Sequence, residues 1–326
     1  MKIYFFLSLF VLVNSIVIFY FDKIKTIIKI VDHPNERKLH KNPVPLLGGP
    51  ILFLNLSIFF LLVNLKLINL NLPINFNLFY LFCTLIFVLG ILDDILSISP
   101  NNKLLIFIII FILYCNFEKS ILIESISLYF HSTDINVGKF SLVFTILCFI
   151  AFINAFNMFD GINLQSSTYS IFLSINLYFV DKNILFLLLI IFLIFFSYLN
   201  SKEKSFLGNS GSYLLPFIFS VMFINYHNNT NFNADLIFVL MAIPGYELIR
   251  LTFQRILRGK HPFLPDRNHI HHIMIKKFSF NSTIVLLNFL IYSQLIIYLV
   301  FEKTLMSIFY GALTYAIAIF LLNKKK

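Results

Sequence analysis

The chain has 326 residues, 59% of them hydrophobic and only 12% charged, whereas a water-soluble domain carries about 25% charged residues, so an ordinary soluble fold is excluded. The formal net charge of +10 then reads as a membrane-orientation signal and an attraction to anionic lipid, and gives no reason to expect nucleic acid as a partner. Cys83, Cys115 and Cys148 each lie inside an apolar stretch with no CxxC pair, which excludes a disulfide framework and a thiolate metal centre.

The apolar residues are gathered in blocks close to the length of a bilayer span, about 17–25 residues. Their continuity predicts helices rather than the alternating strands of a barrel. The first block, Lys2–Phe21, lacks a small-residue cleavage site and is read as an uncleaved first span. A basic loop follows, Asp32-His33-Pro34-Asn35-Glu36-Arg37-Lys38-Leu39-His40, and Pro45-Leu46-Leu47-Gly48-Gly49 opens the second block, Leu46–Val63. Arg37 and Lys38 beside the Gly48-Gly49 turn suit an anion held at a helix start by free backbone N–H groups. A positive-inside anchor ahead of a helix would read the same way. The third block, Phe76–Leu92, ends at Asp93-Asp94, adjacent carboxylates that suit a divalent cation or a base, or a solvated helix end.

The fourth and fifth blocks are Lys103–Phe117 and Phe140–Asn157. Asn154, Asn157 and Asp160 are spaced by three, a drift of about 60° per step, so they share one face at a helix end. That face suits either a polar site or hydrogen bonds between packed helices. Ile162–Val180, Ile184–Leu199 and Ser212–Tyr226 come next, the last opened by Gly208-Asn209-Ser210-Gly211-Ser212. Small residues there suit close backbone approach to a phosphate, or a flexible turn. The ninth block, Ala234–Arg250, leads to Pro262-Phe263-Leu264-Pro265-Asp266-Arg267-Asn268-His269-Ile270-His271-His272. Histidines with Asp266 and Arg267 suit phosphate or sugar recognition better than zinc, whose ordinary partners are missing. Thr283–Phe301 and Thr304–Leu322 complete eleven expected spans.

With the N-terminus outside, nineteen of the 25 Lys and Arg residues fall in inside loops or the tail, which predicts N-terminus out and C-terminus in. All five polar clusters then face the cytosol. No internal repeat or linker is visible, so residues 1–326 are read as a single domain, an all-α polytopic helical bundle. A transporter would place its polar site at mid-membrane, often between paired repeats; here the polar residues gather at one face.

Taken in order, these clusters resemble the polyprenyl-phosphate N-acetylhexosamine-1-phosphate transferases of glycosyltransferase family 4, in particular their WecA-like bacterial branch. The matching pieces are Asp32-x-Pro-x-x-Arg-Lys-x-His, Pro45-Leu-Leu-Gly-Gly49, Gly90-Ile-Leu-Asp-Asp94, Asn154-Ala-Phe-Asn-Met-Phe-Asp-Gly161, Phe206-Leu-Gly-Asn-Ser-Gly-Ser212 and Pro262-Phe-Leu-Pro-Asp-Arg-Asn-His-Ile-His-His272. The resemblance implies an eleven-helix enzyme of the bacterial cytoplasmic membrane. Such an enzyme moves N-acetylhexosamine 1-phosphate from a UDP-sugar to polyprenyl phosphate, releases UMP, and starts a lipid-linked surface polysaccharide. It implies Mg²⁺, with Mn²⁺ as the alternative, to offset phosphate charge. Asp93, Asp94 and Asp160 are the implied catalytic residues, and with Asn209 the implied metal ligands. Arg37, Lys38, His40, Gly48, Gly49, Asn154, Asn157, Arg267, His269, His271 and His272 are the implied substrate contacts. The implied partners are the two substrates and the bilayer, with a homodimer as a further option. Three positions depart from the pattern: Asn209 stands where the family has Asp, Phe107 where it has Gln, and Asn163-Leu164 lacks its glycine. The departures raise one alternative, an inactive relative that binds polyprenyl phosphate or scaffolds glycan assembly.

Overall fold

The structure is a computed structural model that describes residues 2–34, 40–69, 73–260 and 268–324. It is predominantly helical. Its elements are α1 (Lys2–Phe19), α2 (Phe21–Ile27), β1 (Val31–Asp32), β2 (Val44–Pro45), α3 (Gly48–Asn64), α4 (Phe76–Leu96), α5 (Pro100–Phe117), β3 (Ser125–Leu128), β4 (His131–Asn136), α6 (Ser141–Phe159), α7 (Gln165–Asp181), α8 (Ile184–Ser201), α9 (Gly208–Asn229), α10 (Ala234–Leu257), α11 (Ile270–Ile275), α12 (Phe280–Phe301) and α13 (Thr304–Asn323). Each of the eleven apolar blocks falls on one of the long helices. Among the described residues, seven helices are long and apolar enough to cross a membrane, and α1 with α2, bent by 70° at their junction, would be an eighth if the pair forms one span. The protein is a polytopic membrane protein.

The chain packs as two compact units, Met1–Ser99 with Ser166–Met222, and Pro100–Gln165 with Phe223–Lys326. In the first unit α1 and α3 pack on α8, and α3 packs on α4. Asn14 of α1 and Asn55 of α3 exchange amide hydrogen bonds of 2.8 and 3.2 Å between otherwise apolar helices. Paired amides of this kind hold helices together where the surrounding lipid offers no hydrophobic drive. Small residues permit closer approach. A Cβ on Gly49 would lie 2.6 Å from the Gly211 nitrogen, and one on Gly90 would lie 2.6 Å from the Ser210 nitrogen. The backbones of α3 and α4 therefore touch the start of α9. Strand β1 pairs antiparallel with β2, matching Val31 with Pro45 and Asp32 with Val44.

In the second unit α6 lies against α5 and α10, and α10, α12 and α13 pack on one another. The antiparallel hairpin β3–β4 amends the all-helical expectation, as does the β1–β2 pair. Both are short and lie in polar connections, where no apolar block marks them. The Tyr129 N–H donates to Asp235 Oδ2 at 3.0 Å and its hydroxyl donates to Asn231 O at 2.8 Å, which ties the hairpin to the start of α10. The Thr304 hydroxyl donates to the same buried Asp235 and brings in α13.

Candidate functional site

The polar clusters separate into two groups, one in each unit. In the first unit α4 ends at Asp93 and Asp94, and the two carboxylates do different things. Asp93 is buried, and both of its oxygens are engaged: Oδ1 accepts the Ile98 N–H at 2.8 Å and Oδ2 accepts the Tyr213 hydroxyl at 2.6 Å. The chain turns there through Ser97, whose φ is 52°. Asp93 thus accepts one backbone N–H just past the helix end and one buried hydroxyl, which fixes the turn that follows α4.

Asp94 is half-buried. Its Oδ1 accepts the Asn209 N–H at 2.8 Å and its Oδ2 accepts the Ser210 N–H at 3.2 Å. The first turn of α9 is therefore an anion site, as its sequence suggested, but the anion it meets is the protein's own carboxylate. Asn209 enters this arrangement through its backbone. Gly48 and Gly49 are corrected in the same way. Their N–H groups donate to Phe206 O at 3.0 Å and Leu207 O at 2.9 Å, so neither is free to hold an anion, and both glycines serve close packing.

His40 is pinned within its loop. Its Nε2 lies 3.0 Å from Asp32 Oδ2, its Nδ1 lies 2.8 Å from Asn42 O, and its ring meets Phe206 edge-on at 5.0 Å. Arg37, Lys38 and Arg267, all expected substrate contacts, lie outside the described residues.

In the second unit the third and fifth clusters converge on a cavity of about 280 Å³. Its walls include Asn154, Asn157 and Asp160 from the end of α6, His269, His271 and His272 around the start of α11, Lys103 of α5 and Arg255 of α10. Phe107, at the position where the family has Gln, closes part of the wall as a buried ring. Asn154 donates its amide to Ile150 O at 2.8 Å, which leaves its side-chain oxygen to the cavity. The histidines form one contiguous group, with centroids 5.2 Å apart for His269 and His271, and 4.4 Å for His271 and His272. Gly161 is where the two clusters touch. A Cβ there would overlap the His271 ring, so only glycine admits the imidazole at this distance.

His271 is 1% exposed, and neither ring nitrogen has a hydrogen-bond partner among the described residues. A buried polar group without a partner is costly and points to something the site takes up. Burial, followed by the neighbouring His272, His269 and Arg250, holds its pKa well below the usual 6.5, so the ring is neutral and offers one donor and one acceptor. Lys103 and Arg255 supply fixed positive charge, and Asp160 supplies the carboxylate. The cavity is built for an anionic ligand that also carries hydroxyl or amide groups.

Among the described residues no three His, Cys, Asp or Glu side chains gather as a metal-holding group. Mg²⁺ needs none, since it binds through one or two carboxylates, water and substrate phosphates. The half-buried Asp160 with the amides of Asn154 and Asn157 is an oxygen-only donor set of the right hardness. Sequence reasoning missed Lys103 and Arg255 as cavity residues, because it had counted them only as orientation charges. It also missed Tyr213, which lies inside an apolar block.

The sequence model described as Glycosyl transferase family 4 matches residues 76–227. The chain is 29% identical over 261 residues to the undecaprenyl-phosphate alpha-N-acetylglucosaminyl 1-phosphate transferase of Thermotoga maritima, covering 79% of this chain and 77% of that one. It is 28% identical over 282 residues to the protein of the same name from Salmonella typhi, covering 81% and 74%. The Escherichia coli K12 protein of that name is 28% identical over 280 residues, again covering 81% and 74%.

Proposed function

We propose that this chain, which matches glycosyl transferase family 4 over residues 76–227, transfers N-acetylhexosamine 1-phosphate from a UDP-sugar to undecaprenyl or another polyprenyl phosphate. A phosphate oxygen of the lipid attacks the β-phosphorus of the UDP-sugar. The bond from that phosphorus to the bridging oxygen breaks, UMP leaves with the oxygen, and a polyprenyl diphosphate sugar remains. The observation that carries this reading is the cavity of the second unit, where a buried His271, with no hydrogen-bond partner among the described residues, stands with Lys103, Arg255 and Asp160.

Phosphoryl transfer of this kind depends on positioning and on neutralising charge. Lys103, Arg255, His269 and His272 hold the diphosphate. His271 donates to or accepts from it through its free nitrogens, and Asn154 and Asn157 orient the nucleotide sugar. Asp94, held by the α9 amides, is our candidate for the carboxylate at the lipid phosphate, and Asp93 fixes the helix end that presents it. Mg²⁺, or Mn²⁺ in its place, would be held by Asp160 in the cavity and would offset the phosphate charges; within the first unit Asp94 and Asn209 are the candidate cation ligands.

We place the enzyme in the bacterial cytoplasmic membrane with eleven spans, N-terminus out. By helix parity Asp94, Lys103, Asp160, Gly208 and Arg255 then all lie at cytosolic helix ends. Residues 1–326 act as one transferase, with no nucleic-acid partner. The test is UMP release by purified membranes given undecaprenyl phosphate, Mg²⁺ and a panel of UDP-N-acetylhexosamines, in parent and His271→Ala forms. Turnover that falls in the variant while its amount in the membrane holds supports the reading. Equal turnover in the two forms removes His271 from it.

A further inference from the structure

Glu247 sits in α10 just past Pro244, inside an apolar span, and is 1% exposed. An ionisable group buried in a membrane helix carries a heavy desolvation cost unless it is paired. Packing alone would be better served by an apolar side chain.

The contacts of Glu247 point in one direction. Its Oε1 accepts Arg250 Nη2 at 2.8 Å and the backbone N–H of Ile270 at 2.8 Å, and stands 3.6 Å from His269 Nδ1. Its Oε2 accepts Arg250 Nη2 at 3.0 Å and the hydroxyl of Tyr315. Arg250 donates in turn to Asn268 O at 2.6 Å and to Tyr315 Oη at 2.8 Å. The carboxylate and guanidinium together therefore hold Asn268 by its carbonyl and Ile270 by its amide, and the ring of His269 lies beside the carboxylate between them. Glu247 and Arg250 do not line the cavity, whereas His269 does.

We infer that Glu247 is a positioning residue for nucleotide-sugar binding. With Arg250 and Tyr315 it fixes the turn at Asn268–Ile270 and stands beside the ring of His269, which lines the cavity. Position 247 lies within an apolar run and outside the polar clusters that define the cavity, and Tyr315 reaches it from the last helix. The inference rests on reading the cavity as the diphosphate site, and its test separates the two.

The full chain is purified as parent, Glu247→Gln and Tyr315→Phe. Two quantities are read: hydrogen exchange at the Ile270 amide, and KM for UDP-N-acetylglucosamine and for undecaprenyl phosphate. In Glu247→Gln the Ile270 amide exchanges faster, KM for the UDP-sugar rises about ten-fold, and KM for the lipid stays put. Tyr315→Phe moves the same two readouts less far, and carries the test alone if Glu247→Gln fails to insert. A purely structural defect lowers the active fraction, and with it apparent kcat, while leaving both KM values unchanged; that result overturns the inference, as does unchanged Ile270 exchange. If the parent releases no UMP, the transferase reading fails on its own, and exchange at Ile270 still decides whether Glu247 holds the turn.

Discussion

The carboxylate of Asp94 receives the backbone N–H groups of Asn209 and Ser210 at 2.8 and 3.2 Å, so the end of α4 caps the positive end of α9. Position 209 therefore lies beside the carboxylate assigned to the lipid phosphate. An amide there offers a cation only a dipole, whereas a carboxylate offers full charge, which Mg²⁺ favours. Asn209→Asp is expected to lower the Mg²⁺ concentration at which UMP release is half-maximal. An unchanged or higher requirement in a Mg²⁺ titration would show that position 209 is not a metal ligand.

Gly161→Ala is expected to displace His271. The new Cβ would occupy the volume of the imidazole ring, and overpacking of this kind costs about 1–3 kcal/mol. UMP release should fall at least as far as it does in His271→Ala. In a His271→Ala background the same substitution should add little, because the clash is gone. Additive losses in that double-mutant cycle would contradict the contact.

The neutral His271 makes a pH prediction. Its folded pKa is held well below 6.5 by burial and then by the neighbouring His272, His269 and Arg250. Between that lowered value and 6.5 the unfolded chain binds a proton that the folded chain refuses. The contribution is fully present above pH 6.5 and is lost as pH falls, at about 1.4 kcal/mol per unit once well below 6.5. The thermal midpoint of the parent in detergent should drop more between pH 7.5 and 5.5 than that of His271→Asn. Equal drops would show that His271 is not the group refusing the proton.

Much of this was legible in the sequence, for physical reasons that can be named. Apolar length marked every long helix among the described residues, because an unbroken apolar run satisfies its backbone most readily as a helix. The spacing of Asn154, Asn157 and Asp160 placed them on the helix end that meets the histidines. The pair Asp93-Asp94 was legible as a site but not in its contacts, since only the fold brings Ile98 and Tyr213 to Asp93 and the first turn of α9 to Asp94. Gly48 and Gly49 looked like an anion cradle because packing glycines and ligand glycines share one signature. Glu247 was hidden in an apolar block, although an acid three residues before Arg250 within a span is itself a signal.

Orientation is testable at Lys260, an exposed residue beyond the end of α10 and outside the cavity. A Lys260→Cys variant should react with an impermeant thiol reagent only from the cytosolic side. Cys83 and Cys115 are buried, and the partly exposed Cys148 is replaced by serine to keep the background low. Labelling from the opposite face would overturn the placement of every site residue.

The most direct measurement is identification of the products. Purified protein, undecaprenyl phosphate and Mg²⁺ are incubated with UDP-N-acetylglucosamine and its epimers, and the lipid and nucleotide fractions are weighed by mass spectrometry. The proposed reaction predicts UMP and an undecaprenyl diphosphate N-acetylhexosamine in equal amounts, both abolished in Asp160→Asn. Protein that binds undecaprenyl phosphate yet forms neither product from any of these UDP-sugars would contradict it and favour an inactive relative.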